Sequence, residues 1–372
     1  MRKDKGQPKS TPNSQSWLEK LPKHFREEAT KELRSLESEK AKTAANLKAE
    51  TLKRKQAEAE LAATKINLDL VMETQGKVSA KEIKRMKATR NRSGNASALI
   101  LASDWHYSAV VDPAEVDFCN KFNIEIAEKR IEKLWQKSIE LIDFSNHLCC
   151  VDEILLWLGG DLVNGSLFRR ELAEENELGP MSELLAVQDL CASGISFLRK
   201  NSKLPIRIVT SHGNHARTEK EKRAAGAYDH NLEYVLYRNL EKAFAGTAGV
   251  VFHVGKGIQN WTDVRGYSIC FQHGDALKFN GGVGGLFPPL KRAIGRWNGR
   301  RKADLHVLGH YHNFTVDWGF ILNGSLIGLD PFAMSIAADY QPPVQGFALI
   351  GPPYGKILTL PIWVADREPS YV

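Results

Sequence analysis

The sequence predicts an α/β fold preceded by a long basic helical arm. Three observations predict it. From Trp17 to about Leu70 the chain is rich in Ala, Glu, Lys and Leu and has no glycine. Beyond Ala98, short apolar runs alternate with longer amphipathic stretches. Each run closes on polar or glycine residues, as strands do before a functional loop.

Composition supports a folded chain: with 42% hydrophobic and 9% aromatic residues in 372, a sizeable core is available and a fully disordered chain is excluded. The five cysteines form neither a CxxC pair nor a dense scaffold, which favours a reducing compartment. Basic residues near the N-terminus lack an apolar run behind them, and no segment approaches the roughly 18 apolar residues of a spanning helix. The expectation is a cytoplasmic protein with no membrane partner.

Residues 1–16 are Lys, Pro, Ser, Gln and Asn with little to bury, and read as a disordered tail. Residues 17–97 form the arm, in which Leu18, Leu21, Phe25, Ala29, Leu33 and Leu36 recur at steps of three and four. That stripe is too thin for a globular core. It suits a solvated helix or a coiled-coil homo-oligomer through residues 17–75. Residues 1–97 hold 23 basic against 13 acidic side chains, net +10, while the remainder holds 28 against 31, net −3. The basic character therefore belongs to the arm, including a second cluster from Lys81 to Arg92.

Residues 98–372 read as the catalytic domain. ALILAS, EILLWLGG, PIRIVTSHG, YSICFQHG and ADLHVLGH are buried strands, with helical patterns at about 116–148 and 181–200 between the first three. NFTVDWGFILNG, VQGFALIG and GKILTLPIWV are strand-rich and are expected to complete a second sheet. The polar residues at the ends of the five runs carry the chemistry: Asp104 and His106; Asp161 and Asn164; Asn214 and His215; His273; His310 and His312. Five strand ends would bring Asp, His and Asn to one edge of a sheet. Hard oxygen and imidazole donors without thiols suit divalent Mn, Fe or Zn rather than a structural zinc. An aspartate after Gly-Gly can bridge two ions through its two oxygens, and two ions would clamp a phosphoryl group and lower the pKa of a bridging water.

The order D-x-H, G-D-x-x-N, G-N-H, H, G-H-x-H over residues 98–315 resembles the calcineurin-like metallophosphoesterases, nearer their nuclease and phosphodiesterase branches than the protein phosphatases. The resemblance implies a four-layer α/β/β/α sandwich and two divalent cations, with manganese first in expectation and iron or zinc as alternatives. Asp104, His106 and His312 would hold one, Asn214, His273 and His310 the other, and Asp161 would bridge them. It makes His215 the general acid for the leaving oxygen. Three features depart from the family's pattern: Asn164 stands where its protein phosphatases usually carry Asp and its repair nucleases His, Ala216 followed by Arg217 comes after G-N-H where an acid is usual, and Gly165 replaces the Arg of the protein phosphatases. Asn164 is expected to hydrogen-bond His215 without the charge that would tune it.

Substrate contacts are expected from Arg217 and from the basic, aromatic stretch carrying Lys278, Phe279, Lys291, Arg292, Arg296 and Trp297, where cations could track a phosphate backbone and aromatics stack bases. With the arm, this favours a nuclease or nucleic-acid phosphodiesterase that binds DNA; the alternatives are a small-molecule phosphodiesterase or phosphomonoesterase acting on nucleotides, and an oligomeric scaffold with an idle phosphoesterase fold. Other polar residues are expected to serve structure: His212 capping its loop, His306 packed on the far side of its strand, Asp275 orienting His273, Asp112 and Asp229 capping helices, and Cys149 with Cys150 filling core.

Overall fold

The computed structural model describes residues 22–74, 95–165, 167, 174–277 and 285–365. The expected tail at 1–16, the start of the arm before Pro22, the cluster at Lys81–Arg92, and Lys278 with Phe279 lie outside them. The chain divides into two units, Met1–Lys81 and Glu82–Val372. In the first, helix α1 (Lys23–Thr74) forms where strong helix formers run unbroken, and it leaves Phe25, Leu36, Leu47, Leu52 and Leu61 exposed. No helix among the described residues is long and apolar enough to cross a membrane.

In the second unit, continuous apolar runs become strands buried on both faces. Strands β1 (Asn95–Ala102), β2 (Cys150–Leu158), β3 (Ile206–Thr210) and β4 (Val250–His253) pair in parallel. Their crossovers are helices α2 (Ile124–Ser145), α3 (Pro180–Ser202) and α4 (Leu232–Ala243). The second sheet has the order β5-β6-β7-β9-β8, from Asn260–Val264, Tyr267–Gln272, Leu305–Leu308, Phe320–Leu322 and Thr315–Asp317 respectively. Its parallel pair β6–β7 is joined through α5 (Phe287–Asn298). A short α6 (Pro331–Ser335) precedes β10 (Val344–Gly351) and β11 (Gly355–Trp363).

The C-terminal strands divide differently from the expectation. Only β8 and β9 join the second sheet; β10 pairs antiparallel with β1 and β11 with β10, giving the first sheet the order β11-β10-β1-β2-β3-β4. The physical reason lies in β10, whose eight residues are all buried and so need a neighbour in the sheet and cover on both faces.

The period-two alternation of each strand sets the layers. Ala98, Ile100 and Ala102 of β1 pack with Ile154, Leu156 and Leu158 against Ile131, Leu134, Val187, Ile195 and Leu236 from the helices. Leu99, Leu101, Leu155, Trp157 and Val209 point the other way, onto Val264, Ile269, Phe271, Leu305, Val307 and Ile321 of the second sheet. Leu290 of α5 covers the outer side of that sheet at Leu308, Phe320 and Leu322. Helices, sheet, sheet and helix are the four expected layers. Asp112 caps the turn Pro113–Glu115 as expected, whereas α4 is capped by Asn231, two residues beyond Asp229, through the Glu233 amide.

Candidate metal centre

The polar residues after β1, β2, β3, β6 and β7 converge, but from two sheets rather than one edge: β1–β3 supply Asp104, His106, Asp161, Asn214 and His215, and β6 and β7 supply His273, His310 and His312. Five of these sit in the left-handed backbone region, with φ of 55° at Asp104, 49° at His106, 49° at Asp161, 72° at His310 and 52° at His312. A non-glycine residue there costs on the order of 1–3 kcal/mol, and such clustering marks a functional site. On an extended strand end the two residues of D-x-H or H-x-H would share a face but stand about 7 Å apart, and the bend lets them close on one point.

Three groups of donors lie with their ligating atoms within 4.8 Å of one another: Asp104, His106 and His312; His106, Asp161 and His215; Asp161, His273 and His310. They share members, so they form one continuous centre with Asp161 in the middle. His312 Nε2 is 3.7 Å from Asp104 Oδ1 and 3.1 Å from His106 Nε2. Asn164 donates its own amide to Asn176, so its oxygen accepts from His106 Nδ1 at 2.9 Å. That fixes the His106 tautomer and turns its Nε2 lone pair toward His312. On the other side, His273 Nδ1 donates to the Gly159 carbonyl at 2.9 Å, and its Nε2 lies 2.9 Å from Asp161 Oδ2.

These residues fit a pair of divalent cations. The buried His273 Nε2 is turned onto Asp161 Oδ2 at 2.9 Å, and Asn214 Oδ1 is buried without a hydrogen-bond partner. Buried polar atoms are rarely left so. Burial, helped by repulsion from neighbouring imidazoles, pushes His310 down to about 4 and His312 down to about 3, so both present neutral nitrogens at physiological pH. Burial pushes Asp104 up to about 7, while at Asp161 the attraction of His273 and His215 outweighs burial and holds the carboxyl well below its usual range. The same attraction from Asp161 outweighs burial at His273 and holds that imidazole well above its usual range, so cations binding here would displace its proton. Two carboxylates with imidazole and amide donors would then leave two divalent cations with residual positive charge, which suits an anionic substrate.

Two buried glutamates hold the loops together, and sequence reading missed both. Glu233 of α4 accepts from Leu162 N and Gly213 N, each at 2.7 Å, tying the loop after β2 to the loop after β3. Glu183 of α3 accepts from Asn164 N at 2.6 Å, and from Gly165 N and Ser108 N at 3.2 Å each, tying it to the loop after β1. Each is an acid in the first turn of an amphipathic helix, indistinguishable in sequence from a solvated one. Gly213 is required for space: a Cβ there would fall 2.1 Å from Asp161 Oδ1.

His215 sits beside the centre, its backbone N–H donating to Asp161 Oδ1 at 2.8 Å. Its Nδ1 donates to the main-chain carbonyl of Asn164 at 2.7 Å, so the Asn164 side chain serves His106 instead of His215 as expected. Arg217 donates to the Asn214 carbonyl at 3.0 Å and borders a cavity lined also by His212, Lys222, His273 and Asp275. Asp275 pairs with Lys222, whereas a carbonyl orients His273. On α5, Arg292 and Arg296 are exposed, Lys291 pairs with Asp317, and Trp297 packs against His306. His306 is buried on the outer side of β7, its Nε2 bonded to Asn298 Oδ1 at 2.9 Å.

Comparison with known proteins adds little. No family model matches the chain, and no curated protein does. Among solved structures it is similar to vacuolar protein sorting 29 from Cryptosporidium parvum (12% identity, 69% of this chain and 86% of that one, TM-score 0.29). It is also similar to a predicted phosphoesterase from Streptococcus pneumoniae (14%, 72% and 97%, TM-score 0.26) and to a hypothetical protein from Pyrococcus horikoshii (10%, 68% and 83%, TM-score 0.32). Likenesses this distant carry no argument, and the functional reading rests on the residues of the site.

Proposed function

We propose that this chain is a two-cation phosphoester hydrolase of the calcineurin-like type and that its substrate is a nucleic-acid phosphodiester. One observation carries the hydrolase reading: donors from five strand ends meet around Asp161, five of the residues on strained backbone, with Asn214 Oδ1 buried and without a hydrogen-bond partner. Asp104, His106 and His312 would hold one cation and Asn214, His273 and His310 the other, with Asp161 between. Manganese is the cation proposed first. When bound, such a pair supplies Lewis acidity to a phosphoryl group and a water nucleophilic near neutral pH. His215, anchored through Nδ1 beside Asp161, would serve as the general acid that gives a proton to the leaving oxygen. Asn164 acts by fixing the tautomer of His106.

The nucleic-acid reading is supported by the net +10 of residues 1–97 and by Arg292 and Arg296 exposed on α5. Lys291 and Trp297, proposed with them as substrate contacts, also meet Asp317 and His306 within the domain. The cavity beside His273, with Arg217 and Lys222 on its wall, favours a second reading in which a small nucleotide is the substrate. A screen with Mn across single-stranded and duplex DNA, RNA, cyclic nucleotides and an aryl diester, beside Asp161→Asn, decides. Nucleic-acid cleavage is expected in the parent and its loss in Asp161→Asn. Salt-sensitive DNA binding should weaken on deleting residues 1–94, with aryl diester turnover retained. Turnover of small nucleotides alone supports the second reading, and turnover surviving Asp161→Asn contradicts both.

A further inference from the structure

The structure assigns Ser103, Asn323 and Gln345 as positioning residues that commit Asp104 to its cation through one oxygen, an inference that rests on the metal-centre reading above. All three are completely buried, as is Asp104. They come from the end of β1, the end of β9 and the second residue of β10, so segments more than 200 residues apart in sequence meet behind a single carboxylate.

Every proton in the network is fixed by the main chain. The Gly346 N–H donates to Asn323 at 2.8 Å, so the atom there is the Asn323 oxygen and its amide nitrogen must face the other way. That nitrogen donates to Ser103 Oγ at 2.9 Å and to Gln345 Oε1 at 3.1 Å. Gln345 is oriented in turn by the Ser103 N–H, which donates to its oxygen at 3.0 Å, and by the carbonyls of Ser103 and Gly324, which accept from its nitrogen at 3.0 and 3.1 Å. Because Ser103 Oγ already receives a proton from Asn323, its own hydrogen points to Asp104 Oδ2, 2.5 Å away. Oδ1 accepts from His310 N at 2.9 Å and is the oxygen nearer His312 Nε2. The hydroxyl thus engages Oδ2 and leaves Oδ1 to face the imidazoles. A buried polar network in which each member is satisfied in only one way is stiff, and stiffness is what a ligand carboxylate needs from its supports.

Two near-isosteric changes test it in the full-length chain. Asn323→Asp still accepts from Gly346 but offers Ser103 an acceptor, so the hydroxyl turns from Asp104. Ser103→Ala removes the hydroxyl, and Ser103→Thr keeps it. Mn is titrated into chelator-treated protein by calorimetry, and the two binding steps are assigned with His312→Ala and Asn214→Leu. We expect Asn323→Asp and Ser103→Ala to weaken at least tenfold the step that His312→Ala abolishes, leaving the step that Asn214→Leu abolishes within twofold, with Ser103→Thr closer to the parent. Equal weakening of both steps, or no change in Ser103→Ala, overturns the assignment. If the unsubstituted chain takes up no Mn, the metal-centre reading itself falls, an outcome distinct from either.

Discussion

Replacing Asn214 by Leu removes a buried polar atom of the centre that has no hydrogen-bond partner, at a site only 8% exposed. An unsatisfied buried group carries a desolvation cost of about 1–3 kcal/mol. Leucine has the same branched outline with larger methyl ends, so in the presence of a chelator the variant is expected to be about 1 kcal/mol more stable than the parent, the lower end being taken because the methyls need extra room. With Mn at a hundredfold its dissociation constant the parent gains about 2.7 kcal/mol. A hundredfold loss of affinity leaves the variant a gain of about 0.4 kcal/mol. The order of stability therefore reverses, with the variant about 1.3 kcal/mol below the parent. For a unit of this size each kcal/mol moves the midpoint by about 2–4 °C, so calorimetric melting in EDTA and in Mn resolves both signs. A variant that melts below the parent in EDTA, and that Mn raises by as much as it raises the parent, refutes the reasoning.

Two further predictions concern the supports. Gly213→Ala drives a Cβ to 2.1 Å from Asp161 Oδ1 and 2.3 Å from its backbone nitrogen. Overpacking of that kind costs about 1–3 kcal/mol, and we expect a lower midpoint together with loss of Mn binding; unchanged Mn affinity contradicts the claim that this glycine makes room for the carboxylate. His306 is pushed down to about 4 by burial between Trp297 and Trp261, with Nδ1 unbonded, so the unfolded chain takes up its proton near pH 6.5 and the folded chain does not. Stability should fall by about 2 kcal/mol as pH drops from 6.5 to 4, and His306→Gln should flatten that slope in chemical denaturation; an unaltered slope shows that His306 is not the group responsible.

How much of this was legible in the sequence differs by element. The parallel strands were readable because burial on both faces writes continuous apolar runs, and the donors after them stood out because no packing rule explains an Asp or His there. The assignment of β10 was not readable: VQGFALIG satisfies either sheet, and only the need to cover β1's free edge selects the first. The same limit hid the parting of the five strand ends between two sheets. Asn164 was recognised as part of the site, but its partner was not, because a main-chain carbonyl does in space what the sequence suggested for its side chain. Glu183, Glu233, Asn323 and Gln345 were invisible for a related reason: their roles lie in contacts with backbone N–H groups, which every residue offers and no pattern marks. On α5, composition could not show that Lys291 and Trp297 also have partners within the domain, Asp317 and His306.

The proposed chemistry depends on cations being held around Asp161. Purified full-length protein, stripped with chelator and dialysed against Mn, should carry two equivalents per chain by elemental analysis, and Asp161→Asn should carry one or none. Substoichiometric metal in the parent, or an unchanged two equivalents in Asp161→Asn, would contradict it.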